Sequence, residues 1–94
     1  MGFESIHNYY ERLVIAEISR SVASEQDEEF LEDVACVALN QLPARYVRHD
    51  VDLLFYMTAA ERARMEQEVE NAVRMAAEYV TRHRGEQRPQ TFTQ

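Results

Sequence analysis

Two glycines, Gly2 and Gly85, and two prolines, Pro43 and Pro89, are all the punctuation that this chain of 94 residues carries. A sheet needs turn residues every few positions. A chain that withholds them leaves long uninterrupted segments, which favour helices. Pro43 is the one breaker in the body of the sequence. Inside a helix it would forfeit a hydrogen bond and clash with the preceding turn, and it drives Leu42 away from helical geometry. The expected fold is therefore all-α, a small bundle of about four helices. It makes one domain over residues 1–85, with a polar tail over 86–94 that is predicted to be disordered.

Apolar spacing places the helices. Tyr10, Leu13, Val14 and Ile18 form one face of a first helix predicted from Ser5 to Arg20, and Asn8, Glu11, Ile15 and Ser19 form a mixed face. A second helix is predicted to start near Ser24–Asp27, where Asp27, Glu28 and Glu29 suit the positive end of the dipole. It continues through Leu31, Val34, Ala35, Ala38 and Leu42. Residues 50–57 read two ways. Val51, Leu53, Phe55 and Met57 alternate as a strand would, whereas Val51, Leu54 and Phe55 share a helical face. No turn-linked partner strand lies nearby, which favours a short helix capped by Asp50.

The last helix is the most clearly marked. Thr58-Ala59-Ala60-Glu61 is a capping box. Arg82, His83 and Arg84 meet the negative end of the dipole, and Gly85 offers a left-handed exit. Met65, Val69, Ala72, Ala76 and Tyr79 fall at spacings of four, three, four and three, a heptad-like seam. A helix from Ala59 to Arg84 spans ~39 Å, against a diameter of roughly 30 Å for a domain of this size. The expectation is an overhang covered by a second subunit, hence a homodimer. A short chain buries only roughly 60–65% of its unfolded surface and gains from such a partner.

Composition excludes several functions. Seventeen Asp and Glu against ten Arg, with no Lys, give a net charge of −7, which is unsuited to the extended phosphate backbone of DNA or RNA. A small ligand with one or two phosphates needs only a local patch. No apolar run is long enough for a membrane span or a signal peptide, so neither is expected and the chain reads as cytoplasmic. The lone Cys36 leaves no internal disulfide and no Cys-rich zinc site. Its neighbours Ala and Val predict a buried, inert thiol. No Gly-rich phosphate loop, His-Glu-x-x-His pair or nucleophile motif is present, and His7, His49 and His83 are scattered. No enzyme, metal or cofactor is expected.

One cluster runs against the prevailing charge. Arg45, Tyr46, Arg48 and His49 follow Pro43 directly. The arginines are suited to clamp a phosphate or a guanine edge, and Tyr46 to stack on a base. The alternative is structural: the arginines pair with surplus carboxylates and Tyr46 fills the core.

Asn8-Tyr9-Tyr10-Glu11 and Asp33-Val34-Ala35-Cys36-Val37-Ala38-Leu39-Asn40-Gln41-Leu42-Pro43-Ala44-Arg45-Tyr46-Val47 resemble the two signature stretches of the late competence protein ComFB family. The resemblance implies a small, mostly helical, cytosolic and dimeric protein. In the branch similar to this chain it implies a receptor for cyclic dinucleotides, above all cyclic di-GMP, that influences cell size, motility or competence. Zinc-associated cysteines occur in some members, but this chain offers only Cys36.

The combined reading is a non-enzymatic, homodimeric cyclic di-GMP receptor, with cyclic di-AMP as the other dinucleotide, acting on a regulatory protein partner. Arg45, Arg48 and Tyr46 lead the candidate ligand residues. Asn8 and Glu11, one turn apart, are assigned to guanine N1–H and the exocyclic amine. Asn40 and Asp50 follow, since both also suit capping roles. The competing readings are a helical dimerisation adaptor without a nucleotide ligand and, more remotely, a hydrolase of a small phosphorylated substrate.

Overall fold

A computed structural model of the chain describes residues 3–22 and 26–84. A single 3-10 turn at Phe3–Ser5 leads into strand β1 (His7–Asn8) and helices α1 (Tyr10–Ser21) and α2 (Glu28–Gln41). Strand β2 (Tyr46–Val47), helix α3 (Asp50–Tyr56) and helix α4 (Ala59–His83) complete the order. The fold is mostly helical, as the scarcity of breakers predicts. The exit at Gly85 and the tail over 86–94 lie outside the described residues.

Helices α1, α2 and α4 pack around one core. α1 contributes Tyr10, Val14 and Ile18, and α2 contributes Phe30, Val34, Val37 and Ala38. α4 supplies Met65, Val69, Ala72, Val73, Ala76 and Val80. These positions recur every three or four residues, as one buried helix face requires. Helix ends are tied by the chemistry that the sequence signals. Asp27 caps α2, its side chain accepting from the Phe30 backbone N–H at 2.8 Å. The capping box at α4 forms in full: Glu61 N–H donates to Thr58 Oγ1 at 3.0 Å and Thr58 N–H to Glu61 Oε1 at 3.1 Å. Arg84 reaches back to Asp27 at 3.1 Å and lies 5.0 Å over the Phe30 ring, holding the end of α4 against the start of α2.

Several expectations change. The long helix does not leave its seam for a second subunit: Val69 is 3% exposed and Ala76 1%, both covered by this chain's own helices. The molecule measures 43 × 33 × 21 Å, so α1 and α2 spread along α4 rather than gathering into the sphere that the overhang assumed. The first helix starts at Tyr10, not Ser5, because His7 and Asn8 pair antiparallel with Val47 and Tyr46. Tyr9 N–H extends this ladder by donating to Arg45 O at 2.7 Å. Two-residue strands joined across nearly forty positions leave no periodicity to read. Cys36 is half-buried rather than buried, with Asn40 Nδ2 at 3.9 Å from its sulfur.

The ambiguous segment is helical, as favoured. Asp50 is its first residue rather than its cap. His49 occupies the cap position without a side-chain capping bond.

Candidate functional site

Pro43 shapes this region. Leu42 closes α2 in an extended conformation, φ −106° and ψ 143°, the geometry imposed on a residue before proline. The chain then runs extended through β2 and bends into α3. The sequence predicted a turn presenting four side chains; the structure presents a strand held at its start.

Asn8 does the holding. Its Oδ1 accepts from the Arg45 backbone N–H at 3.0 Å and from the Tyr10 backbone N–H at 3.2 Å. One amide oxygen thus joins the β2 approach to the first turn of α1. Asn8 therefore precedes α1 instead of sitting one turn from Glu11 on its face. In an extended strand, successive side chains point to opposite sides. His7 lines a shallow groove with Glu11, Arg12, Ile15 and Ala16, whereas Asn8 is paired with Tyr46. The Asn8 Oδ1 is thus engaged by backbone donors, which leaves its Nδ2 and the Glu11 carboxylate as the groups for a base edge.

Arg45 and Arg48 flank the two-residue strand β2, one on each side of Tyr46–Val47, and both are exposed. The Arg45 guanidinium lies close enough to Tyr10 to act on its hydroxyl. Burial pushes the Tyr10 phenol up to about 12, the Glu68 carboxylate adds to this, and Arg64 and Arg45 pull it back. Tyr10 donates to Glu68 Oε1 at 2.9 Å, and Arg64 pairs with the other Glu68 oxygen at 3.0 Å.

Tyr46 is 66% exposed, which rules out the reading in which it fills the core. Arg48 is exposed and its Nε lies 3.3 Å from His49 Nε2. Arg12, Arg20, Arg64 and Arg84 all pair with carboxylates. Among the described residues Arg45 and Arg48, like Arg62, Arg74 and Arg82, form no such pair, so the ion-pair reading is not realised at the cluster.

Asp50 is occupied. Its Oδ1 lies 2.6 Å from His7 Nε2 and its Oδ2 3.2 Å from Arg12 Nε. The hydrogen bond to Asp50, seconded by Ser5 O at 2.9 Å from Nδ1, raises the His7 pKa. This cluster fastens β1, α1 and the start of α3 together, and the sequence did not reveal it because Asp50 lies some forty residues from His7 and Arg12. Asn40 lies elsewhere. It lines a groove of about 320 Å³ between α2 and α4 with Val37, Gln41, Met75, Tyr79 and Arg82.

Among the described residues, no group of three or more His, Cys, Asp or Glu side chains could hold a metal ion. Among the same residues, no helix is long and apolar enough to cross a membrane.

No curated protein and no solved structure matches the chain. The family model described as late competence development protein ComFB matches residues 7–84. That match begins at the strand carrying the Asn8 clamp and ends just past α4, spanning the whole helical core, and the chain belongs to the ComFB family.

Proposed function

We propose that this protein is a non-enzymatic receptor for a cyclic dinucleotide, cyclic di-GMP before cyclic di-AMP, with the 45–48 segment as its binding site. It acts as a dimer in second-messenger signalling and passes ligand occupancy to a protein partner. One observation carries the reading. An aromatic ring, largely in water, stands between two arginines that lack carboxylate partners among the described residues, in a chain with seventeen carboxylates. Tyr46 and Arg48, two residues apart and both exposed, would offer a stacking plane and a cation to one ligand. Arg45, just before Tyr46, would meet a second phosphate or the rim of the ligand. Asn8 positions the segment, and Glu11 is left as the candidate reader of a guanine edge.

Calorimetric titration with cyclic di-GMP, then cyclic di-AMP, tests the proposal. Loss of an arginine from a charge-assisted bond costs about 1.5–3 kcal/mol, roughly ten- to a hundredfold in affinity. Arg45→Ala and Arg48→Ala should each weaken binding to that extent. Loss of a stacking ring costs about 1–3 kcal/mol, so Tyr46→Ala should do nearly the same. Glu11→Ala should chiefly erode the guanine preference. Tight binding in the double arginine variant moves the site elsewhere. No binding of either dinucleotide leaves the adaptor reading, which the exposed apolar surface of α3 favours. Unchanged ligand after incubation excludes hydrolysis.

A further inference from the structure

His7 closes one corner of the fold with two kinds of contact. Its backbone pairs with Val47 in the β1–β2 ladder, and its side chain reaches Asp50, the first residue of α3. Arg48 and His49 form the corner between those two points. Helix α3 has little else to hold it. Its seven residues are too few to form a helix by propensity. Leu53 is its one buried residue, and Phe55 and Tyr56 are each 80% exposed. A bond at the start of such a helix weighs more than the same bond on a long, well-packed one.

The two ring nitrogens identify the state of the imidazole. Nδ1 lies 2.9 Å from the Ser5 carbonyl oxygen, and Nε2 lies 2.6 Å from Asp50 Oδ1. A backbone carbonyl only accepts, and so does a carboxylate whose other oxygen pairs with Arg12 at 3.2 Å. Both nitrogens must then donate, and only the imidazolium carries two N–H groups. A neutral ring satisfies one acceptor and turns a lone pair toward the other. The surrounding charge agrees. Asp50 faces the ring from α3, and Glu11 and Arg12 flank it from α1, two carboxylates against one guanidinium. Glu4, Arg48, His49 and Asp52, on the 3-10 turn, the corner and the start of α3, are all exposed. The bond to Asp50, followed by the Ser5 carbonyl, raises the His7 pKa above its ordinary value, and Glu11 adds to the effect.

We propose that His7 is a proton-operated latch: its imidazolium closes the corner at Arg48–His49, and loss of the proton opens it. The latch is fully closed below the unfolded value of about 6.5 and is released as pH rises through the folded value. Arg48 is a candidate ligand residue, so the latch also regulates the binding segment, a consequence that rests on the receptor reading above. The latch itself needs no ligand.

Hydrogen exchange of the full chain, corrected for the intrinsic pH dependence of exchange, reads the corner directly. The chain carries His49→Gln, which removes the corner's own titrating ring. Protection of the backbone amides over residues 48–56 should fall roughly fivefold between about pH 6 and about pH 9, the weight of one partly solvated charge-assisted hydrogen bond. Amides at the centre of α4 should hold their protection. Adding His7→Gln or Asp50→Asn should abolish the pH dependence at the corner. Ring-nitrogen NMR spectra should show His7 doubly protonated at the acid end. Equal protection at both ends overturns the proposal. So does an equal fall without His7, or a singly protonated His7 ring at about pH 6. Titrating the same samples with cyclic di-GMP separates the two readings. A corner that opens in a chain that binds no dinucleotide refutes only the receptor, and binding without any opening refutes only the latch.

Discussion

Asn8→Ala is the most informative single substitution in this molecule. The amide oxygen accepts two backbone N–H groups, those of Tyr10 and Arg45, from segments that would otherwise have no link through it. Each bond contributes about 0.5–1.5 kcal/mol net, and partial solvent access favours the lower half of that range. Removing both should cost about 1–2 kcal/mol. For a domain of this length, each kilocalorie lowers the melting temperature by about 4–8 °C. Thermal denaturation followed by circular dichroism should therefore show a fall of roughly 5–15 °C. Asn8→Asp keeps the acceptor oxygen and should recover most of that loss. The pair also separates two roles: a clamp needs only the oxygen, whereas a base reader would use the Nδ2 donor that Asp lacks. If Asn8→Ala melts within a degree of the wild type, the clamp contributes nothing and the argument for a held segment fails.

Three further outcomes follow from the packing and the charges. Val34→Ala, at a position with no solvent exposure, should cost about 2 kcal/mol through lost burial and a residual cavity, measured by urea denaturation. Thr58→Ala dismantles the capping box and should cost about 1 kcal/mol by the same measurement. The raised pKa of His7 means that its contribution is complete below the unfolded value of about 6.5 and is lost as pH rises through the folded value. His7→Gln should thus lower the melting temperature on the acid side and converge with the wild type on the alkaline side.

How much of this was legible in the sequence depended on range. The caps at Asp27 and Thr58 and the buried faces of α1 and α4 are set by residues three or four apart and lie close to where the spacing placed them. On α2, Val34 and Ala38 are buried as expected, but Phe30 and Val37 complete the face in place of Leu31, Ala35 and Leu42, which are half-buried. Helix α3 was legible by elimination, since no neighbouring strand offered itself. The ladder between His7–Asn8 and Tyr46–Val47 was not, because two-residue strands carry no period. Asn8 left one local trace, an Asx turn onto Tyr10, which is also how a helix start is marked. Its second bond, to Arg45, left none. The seam on α4 was correctly located but assigned to the wrong neighbour. A heptad-like stripe specifies that something packs there without specifying whose helix it is.

The 45–48 segment has its backbone tied and its one aromatic side chain left in water. Asn8 and the Tyr9–Arg45 backbone bond fix its start, and Asp50, gripped by His7 and Arg12, fixes the helix into which it runs. Between these anchors the Tyr46 ring projects into water. A surface loop without function would have little need of two long-range anchors. A binding segment benefits from both, because conformational freedom removed during folding is no longer lost when a ligand arrives. The anchors outside the segment belong to β1, α1, α3 and Tyr9, the residue joining β1 to α1.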